Sequence, residues 1–344
     1  MNLLSFTGKG IYCAVGDFYI DPWQPVKRAV ITHAHSDHAR PGSEFYLCHH
    51  FTKPLLQLRL GNPECMSVEW GEPVTMNDVR ISLHPAGHII GSSQVRVEYQ
   101  GEVWVVTGDF KTEDDGISGE MELVSCDVLI TESTFGLPIY QWKPQQQLFY
   151  DIQNWIYGNR SEGKNSVLIA YSLGKAQRLL SCLSEITGTI YVHGAIWNIH
   201  QALTAAGFRL PEVKRVTAEM GRDQFKEDVI IAPPSADQSP WMRRFGPCAL
   251  GICSGWMQVR GNVRRRNADA GFAMSDHADW NGLLSVVRGT GAKKVFVTHG
   301  FQSAFSRYLN ECGIESAEVK TEYGDETELE TEKHLAADET GLTI

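Results

Sequence analysis

Short apolar runs separated by turn residues fill the first part of the chain, and they predict β-strands rather than helices. The predicted strands are Tyr19–Ile20, Ala29–Ile31, Val79–Leu83, Gln94–Val97, Val103–Val106 and Val128–Ile130. Apolar residues take up helical spacing only near Gln145, where the pattern predicts a helix that extends to Ile156. The chain therefore begins with a β-rich region and changes character near Gln145.

Strands and helices alternate in the middle of the chain. The predicted elements there are strand Val167–Ala170, helix Lys175–Ile186, strand Thr189–Val192 and helix Ile199–Ala206. This alternation predicts a parallel sheet with helices packed on it, and hence an α/β fold. Proline and serine make Ala232–Pro240 a predicted loop, after which strands are expected at Phe272–Met274 and Val295–Val297.

The composition is that of a globular protein. Of 344 residues, 42% are hydrophobic and 21% are charged, which is too apolar for a disordered chain. No apolar run approaches the roughly 20 residues of a membrane helix, and no secretory signal pattern is visible at the N-terminus. Eight cysteines are scattered without a Cys-x-x-Cys motif, which argues against a zinc ribbon or a disulfide scaffold. We therefore expect a cytoplasmic protein with no membrane partner.

The net charge of −10 is concentrated towards the C-terminal end of the chain. From Glu311 to Ile344 there are 11 acidic residues and two lysines, so this tail carries −9 of the total charge. The tail is either a solvated or frayed end or an interaction segment. Because the rest of the chain is nearly neutral, the acidic total does not exclude a polyanionic substrate.

One segment of this acidic protein is strongly basic. Residues Gln238 to Ala268 include six arginines and no Asp or Glu, with Trp241, Phe245 and Trp256 interleaved among them. Arginine contacts to phosphate and stacking of bases on aromatic rings are typical of single-stranded nucleic-acid binding. The alternative is a solvated basic surface above ordinary core aromatics.

The strongest chemical signal is the string Thr-His-Ala-His-Ser-Asp-His, which begins at Thr32 directly after a predicted strand. Its candidate metal ligands are His33, His35, Asp37 and His38. Imidazole nitrogens and carboxylate oxygens suit zinc, with manganese or iron as alternatives. A polar loop or a histidine-rich surface tract is the other interpretation, but a strand that leads into four ligand-type side chains favours a metal site.

Other ionisable residues recur in the same setting, just beyond or at the end of an apolar strand. They are His88, Asp109, Glu132 and His299. Taken singly, each is equally well explained as a turn or cap residue. Strand ends gathered at one rim of a layered fold can bring distant residues into one pocket. Their recurrence therefore predicts that they complete the metal site.

His277 lies in the string Ser-Asp-His-Ala-Asp, again after an apolar run. If the other residues supply the metal ligands, a spare histidine at the rim can act as a general acid. Glu132 can then orient this histidine, as carboxylates around metal sites do. The alternative is a residue of a helix-capping region, with Ser275 or Asp276 as the cap.

These motifs together resemble the metallo-β-lactamase superfamily and the additional motifs of its β-CASP nuclease branch. The residues that carry the resemblance are His33, His35, Asp37, His38, His88, Asp109, Glu132, His277 and His299. The resemblance implies a metallo-β-lactamase αββα sandwich made of residues 1–136 and 267–344. An inserted β-CASP α/β domain of residues 137–266 would interrupt it.

The resemblance also implies roles for individual residues. One Zn²⁺ would be held by His33, His35 and His88, and a second by Asp37, His38 and His299. Asp109 would bridge the two ions, and Asp21 would support the metal histidines. The implied catalytic residues are His277, Glu132, Asp109 and Asp37. The implied substrate-binding residues are Ser172, Gly174, Lys175, Ser254, Gly255, Arg260 and Arg264.

Within the branch, the string Cys253-Ser-Gly-Trp-Met and the arginines after it look most like bacterial ligase-associated DNA exonucleases. This implies a zinc-dependent DNA exonuclease in repair, with a DNA ligase or repair helicase as partner. One alternative is a nuclease that processes RNA 3′ ends, because such enzymes share most of the motifs. Further alternatives are a small-molecule metallo-hydrolase and a non-catalytic subunit of a processing complex.

Overall fold

The computed structural model describes residues 2–184, 186, 188–259, 261 and 267–320. These residues separate into two compact units, one of residues 2–141 with 276–320 and one of the described residues between 142 and 275. Among the described helices, none combines the length and the hydropathy that a membrane span requires.

The elements are numbered here in chain order. The strands are β1 (Ser5–Thr7), β2 (Gly10–Cys13), β3 (Phe18–Ile20), β4 (Arg28–Val30), β5 (Phe45–His49), β6 (Cys65–Val68), β7 (Val74–Met76), β8 (Val79–Pro85), β9 (Ser93–Tyr99), β10 (Glu102–Val106), β11 (Val128–Ser133), β12 (Asn165–Ile169), β13 (Ile190–Val192), β14 (Lys214–Arg215), β15 (Val229–Ala232), β16 (Cys248–Cys253), β17 (Ala270–Phe272), β18 (Lys294–Gly300) and β19 (Glu315–Glu318). The helices are α1 (Thr52–Leu60), α2 (Gln145–Ser161), α3 (Lys175–Cys182), α4 (Gly194–Ala205), α5 (Trp280–Gly289) and α6 (Gln302–Glu311).

The described strands of the first unit form one sheet of order β1-β2-β3-β4-β5-β6 and another of order β19-β18-β11-β10-β9-β8-β7. Residues of both sheets share one hydrophobic cluster, in which Val30 and Leu47 of the first sheet join Val97 and Val106 of the second. A second hydrophobic cluster joins the second sheet to α5 and α6, since Val105 of the sheet shares it with Leu283 of α5 and Phe305 of α6. Each sheet therefore buries one face against the other.

The strands predicted in the first part of the chain all occur, as β3, β4, β8, β9, β10 and β11. Sequence analysis did not find β1, β2, β5, β6, β7 or α1. Strand β6 (Cys-Met-Ser-Val) is partly exposed and lacks a continuous apolar run. Such edge strands depend on pairing with a neighbour, which a local pattern does not reveal.

The second unit is built on a parallel sheet of order β14-β13-β15-β12-β16-β17. Separate clusters bury its two faces, since Leu168 packs in one and Val167 and Ile169 in the other. Strands buried on both faces are typical of parallel sheets covered by helices. The prediction of a parallel sheet with helices on it is therefore confirmed.

Several predicted bounds in the second unit were wrong. Helix α4 begins at Gly194 instead of Ile199, because the His193 side chain accepts a hydrogen bond from the Ala195 amide and caps the helix there. Helix α3 ends at Cys182, before the predicted Ile186. The strand expected at Phe272–Met274 lies at Ala270–Phe272, where it pairs with β16.

Gly300, next to the candidate ligand His299, has a left-handed backbone with φ of 84°. A Cβ at this position would overlap the backbone of Ser133 and Thr134. We expect Gly300→Ala to lower the free energy of unfolding by about 2 kcal/mol or more beyond the loss in Gly313→Ala. Gly313 is the matched control, since its φ is 81° and nothing lies within 4 Å of the added carbon. Denaturant unfolding measures both, and equal losses would contradict the clash.

Candidate metal centre and active site

Four candidate residues lie at one edge of the seven-strand sheet of the first unit. Strands β10, β11 and β18 are parallel, and β8 runs in the same direction because both it and β10 are antiparallel to β9. His88 and Asp109 follow the carboxyl ends of β8 and β10. Glu132 and His299 are the second-last residues of β11 and β18. Strand direction therefore delivers these side chains to the same edge.

One cluster comprises His33, His35, His88 and Asp109, whose candidate ligand atoms all lie within 4.8 Å of one another. His33 Nε2 is 3.5 Å and His88 Nε2 is 3.8 Å from Asp109 Oδ2. His88 Nε2 is also 3.1 Å from His35 Nδ1. Nitrogen atoms from two loops thus converge on one carboxylate oxygen.

A second cluster comprises His38, Asp109 and His299. His299 Nε2 lies 2.7 Å from Asp109 Oδ1, and His38 Nε2 lies 3.5 Å from Asp109 Oδ2. Asp109 is thus common to both clusters. Asp37 belongs to neither cluster of described residues, and its Oδ2 lies 3.7 Å from His38 Nε2.

Burial and charge set the protonation of these groups. Burial holds the pKa of both His33 and His88 well below the usual value, so these imidazoles are neutral and suited to bind a metal. Burial alone would also lower the pKa of His38, but Asp109, Asp37 and Asp21 outweigh it and raise that pKa to about 10. A bound dication would reverse the last effect, because its charge displaces the proton.

The residues of these clusters fit a divalent transition metal. Within the described ranges, the buried His33 Nε2 has no hydrogen-bond partner. Burial of an unpaired polar atom destabilises the fold, and a bound metal ion would remove this cost by coordinating the nitrogen. A donor set of imidazole nitrogens with a carboxylate occurs in catalytic zinc sites and also suits other divalent transition metals.

Asp21 is buried beside the His-x-His-x-Asp-His loop. Its Oδ1 accepts a hydrogen bond of 2.8 Å from the Thr32 amide, and its Oδ2 lies 2.8 Å from His38 Nδ1. A proton on Nδ1 held by this carboxylate leaves Nε2 of His38 available to a metal. Asp21 therefore orients a candidate ligand.

We expect Asp21→Asn to weaken metal binding by about 10- to 100-fold, the usual range for losing a carboxylate that orients a ligand. Asn suits this position because the φ of residue 21 is 42°, a left-handed value that Asn tolerates. Asp17→Asn is the matched control, since Asp17 also has positive φ but pairs with Arg28 at the surface. Competition with a chromophoric chelator measures both affinities, and equal affinities would remove Asp21 from this role.

His277 and Glu132 form a buried pair beside the clusters. His277 Nδ1 lies 3.1 and 3.0 Å from the two oxygens of Glu132, which also accepts a 2.7 Å bond from the Phe110 amide. Together with Asp109, this pair forms a third compact group of potential ligands. The cap of helix α5 is Asp279, which accepts from the Gly282 amide, rather than Ser275 or Asp276. The capping interpretation of His277 thus loses its basis.

Sequence analysis missed two further contacts to this region. The Arg59 side chain of α1 donates to the carbonyl of Ala34, which lies between His33 and His35. His88 Nδ1 lies 2.9 Å from the carbonyl oxygen of Asp276. Nothing in the local pattern around Arg59 or Asp276 signals these contacts, because both depend on residues distant in the chain.

The candidate substrate residues of the second unit lie at the carboxyl edge of its parallel sheet. Ser172, Gly174 and Lys175 follow β12, whereas Ser254 and Gly255 follow β16. These neighbouring strands flank the point where the strand order reverses, and ligands of open parallel sheets bind at such points. Arg260 and Arg264 lie outside the described residues.

No protein-family profile matches the chain. It is similar to a protein named probable DNA ligase from Opitutus terrae, with 31% identity over 325 residues, or 93% of this chain. It is also similar to the endoribonuclease ysh-1 of Neurospora crassa, with 32% identity over 129 residues, or 37% of this chain. The chain spans only 31% and 15% of the lengths of these relatives.

A solved structure shares the fold. A protein of unknown function from Enterococcus faecalis superimposes with a TM-score of 0.60, covering 86% of this chain and 80% of its own. Sequence identity between the two is 13%, so the likeness concerns architecture alone.

Proposed function

Because the chain belongs to the β-CASP nuclease branch of the metallo-β-lactamase superfamily, we propose that it is a metal-dependent hydrolase of nucleic acid. The observation that carries the proposal is the pair of buried ligand clusters that share Asp109, with His277 beside them. Two ions held close together suit phosphodiester hydrolysis, because the attacking and leaving oxygens both need stabilisation.

The family's architecture is proposed for both units. The two sheets that share a hydrophobic cluster, together with the helices on the outer face of the second sheet, support a metallo-β-lactamase αββα sandwich. The parallel sheet of the second unit supports an inserted β-CASP domain, because its residues interrupt the first unit in sequence. From the sequence, the proposed domains are residues 1–136 with 267–344, and residues 137–266. The compact units of the structure instead change at 141/142 and 275/276, so β17 lies with the second unit.

We assign the metal ligands from the two clusters and, for Asp37, from the family motif alone. His33, His35 and His88 would hold one Zn²⁺, while Asp37, His38 and His299 would hold the other, with Asp109 between them. Manganese or iron is compatible with the same donors. When bound, such ions polarise phosphoryl oxygens and make water more acidic.

His277 would supply the proton that the reaction requires. Its Nδ1 faces Glu132, so its Nε2 is the nitrogen that can carry a proton to the departing ribose oxygen. Glu132 contacts Nδ1 and fixes the orientation of the ring. His277 is therefore the proposed catalytic residue, and Glu132 is the residue that positions it.

DNA is the proposed substrate, hydrolysed from an end, with a ligase or repair helicase as partner. The support is the relative named DNA ligase, which aligns with 93% of this chain. Ser172, Gly174, Lys175, Ser254 and Gly255 would contact the strand at the sheet edge, together with Arg260 and Arg264. An RNA nuclease is the second candidate, favoured by the alignment with an endoribonuclease over 37% of the chain.

Digestion of matched DNA and RNA strands distinguishes these candidates. Strands of the same sequence, labelled at the 5′ or 3′ end and with or without a 5′-phosphate, are incubated with the full chain and Zn²⁺ or Mn²⁺. We expect mononucleotides to be released from DNA faster than from RNA, and chelation to stop the release. Faster cleavage of RNA would favour the second candidate, and cleavage of neither in the presence of bound metal would contradict nuclease function.

A further inference from the structure

Two cysteines lie side by side on neighbouring strands of the first unit. Cys48 of β5 and Cys65 of β6 have their sulfur atoms 3.5 Å apart. The strands are parallel, with Tyr46 opposite Cys65 and Cys48 opposite Ser67. Residues two apart on a strand share a face, so both thiols emerge on the same side of the sheet.

The two thiols differ in chemical character. Cys65 is partly exposed, and its contact with the Cys48 sulfur lowers the pKa of Cys65, with nearby Lys53 adding to the effect. Cys48 is buried, and the same contact together with burial raises the pKa of Cys48 well above normal. A thiol of lowered pKa that is accessible and beside a second thiol is the usual setting of an oxidation-sensitive cysteine.

Three other cysteines, Cys126, Cys182 and Cys312, have different settings. Burial raises the pKa of Cys126 to about 11 and that of Cys182 to about 12, which makes these thiols unreactive. Cys312 is exposed and lies directly after the last residue of α6. An accessible thiol of lowered pKa, Cys65, thus lies beside a second thiol, Cys48.

We propose that Cys48 and Cys65 form an oxidation site at which a peroxide joins β5 to β6 through a disulfide. The Cys65 thiolate attacks one oxygen of hydrogen peroxide, the O–O bond breaks, and Cys65 becomes a sulfenic acid. The other oxygen leaves as hydroxide, which becomes water by taking up the proton that the Cys65 thiol lost. The Cys48 sulfur then attacks the Cys65 sulfur, and the expelled hydroxide leaves as water with the Cys48 proton. In sum, one peroxide is reduced to two waters and two thiols are oxidised to one disulfide.

The disulfide would fix an edge of the first sheet. Strand β6 ends the described sheet order and pairs only through β5, so the bond would tie the edge strand to its neighbour. The sulfur atoms must approach from 3.5 Å to about 2.05 Å, which requires a small movement of the partly exposed strand. This inference does not rest on the proposed nuclease activity.

The test is peptide mapping of the native full-length protein after a brief exposure to hydrogen peroxide. Remaining thiols are alkylated, and the digested protein is examined by mass spectrometry without reduction. We expect a peptide pair linked through Cys48 and Cys65, so that neither residue is alkylated. Cys312 should remain a thiol during the peroxide exposure and therefore be alkylated. Oxidation of Cys312 ahead of Cys65, or Cys65 oxidation without a link to Cys48, would overturn the proposal.

Two variants separate the roles of the thiols. In Cys48→Ser, Cys65 should stop at the sulfenic acid and be captured by dimedone, whereas Cys65→Ser should leave Cys48 reduced at the same peroxide dose. The matched control Cys312→Ser should form the Cys48–Cys65 link as the unmodified protein does. Dimedone capture at Cys48 in place of Cys65 would contradict the assignment, and the mapping of the unmodified protein stands even if a variant fails to fold.

Discussion

Replacement of Asp109 by alanine is expected to remove both bound metal and nuclease turnover. Among the described residues, Asp109 is common to all three compact groups of potential ligands, and His299, His33 and His38 all lie within 3.5 Å of its oxygens. Without this carboxylate, neither of the two histidine-rich clusters of the described residues contains a negatively charged ligand. The loss of metal affinity should exceed about 100-fold, the upper range for removing a residue that only orients a ligand.

Elemental analysis of the purified variant and a nuclease assay measure the two effects together. Asp127→Ala is the matched control, since Asp127 lies just before β11 and pairs with Lys293 at the protein surface. That variant should keep the metal content and the activity of the parent protein. An Asp109→Ala protein that retained the full metal complement would contradict the shared-carboxylate arrangement.

Replacement of His277 by alanine should lower turnover but leave the bound metal in place. Its Nδ1 is held by Glu132, and it is absent from the two histidine-rich clusters of the described chain, so metal content should stay near normal. Turnover should fall by about 10²- to 10⁴-fold, because an alkoxide leaves poorly without a proton donor. Metal content and single-turnover cleavage rate are the two measurements.

A second histidine provides the control for this experiment. His84 lies on β8 in the same unit, where it contacts Ser82 and Glu122 with distances of 2.9 Å. His84→Ala should leave metal content and cleavage rate unchanged. A His277→Ala protein that cleaved at the parent rate would remove His277 from catalysis, whereas one that lost its metal would make His277 a ligand.

Sequence alone identified the local part of the site more readily than its distant contacts. His33, His35, Asp37 and His38 stand close together in the chain, so their density indicates a metal site without any knowledge of the fold. Asp109 and His299 are 190 residues apart, yet each ends an apolar strand, and parallel strands carry such residues to one edge. The recurrence of ionisable residues at strand ends was therefore enough to anticipate that they meet, and the parallel strands of the structure explain why.

The contacts that pattern analysis missed depend on tertiary structure. Arg59 occupies an ordinary position in a short helix, and only the fold brings its guanidinium to the Ala34 carbonyl. Strand β16 (Cys-Ala-Leu-Gly-Ile-Cys) contains a glycine, which has a low strand propensity. Pairing of β16 with β12 stabilises the strand despite this glycine. Gly194 is a poor helix former, so the start of α4 was set by the His193 cap rather than by propensity.

Anomalous diffraction from crystals of the metal-loaded protein tests the central claim most directly. The account predicts two peaks at the zinc absorption edge, about 3.5–4 Å apart and on either side of Asp109. One peak should lie against His33, His35 and His88, and the other against His38 and His299. Peaks located elsewhere, or a single peak that Asp109 does not contact, would contradict the arrangement.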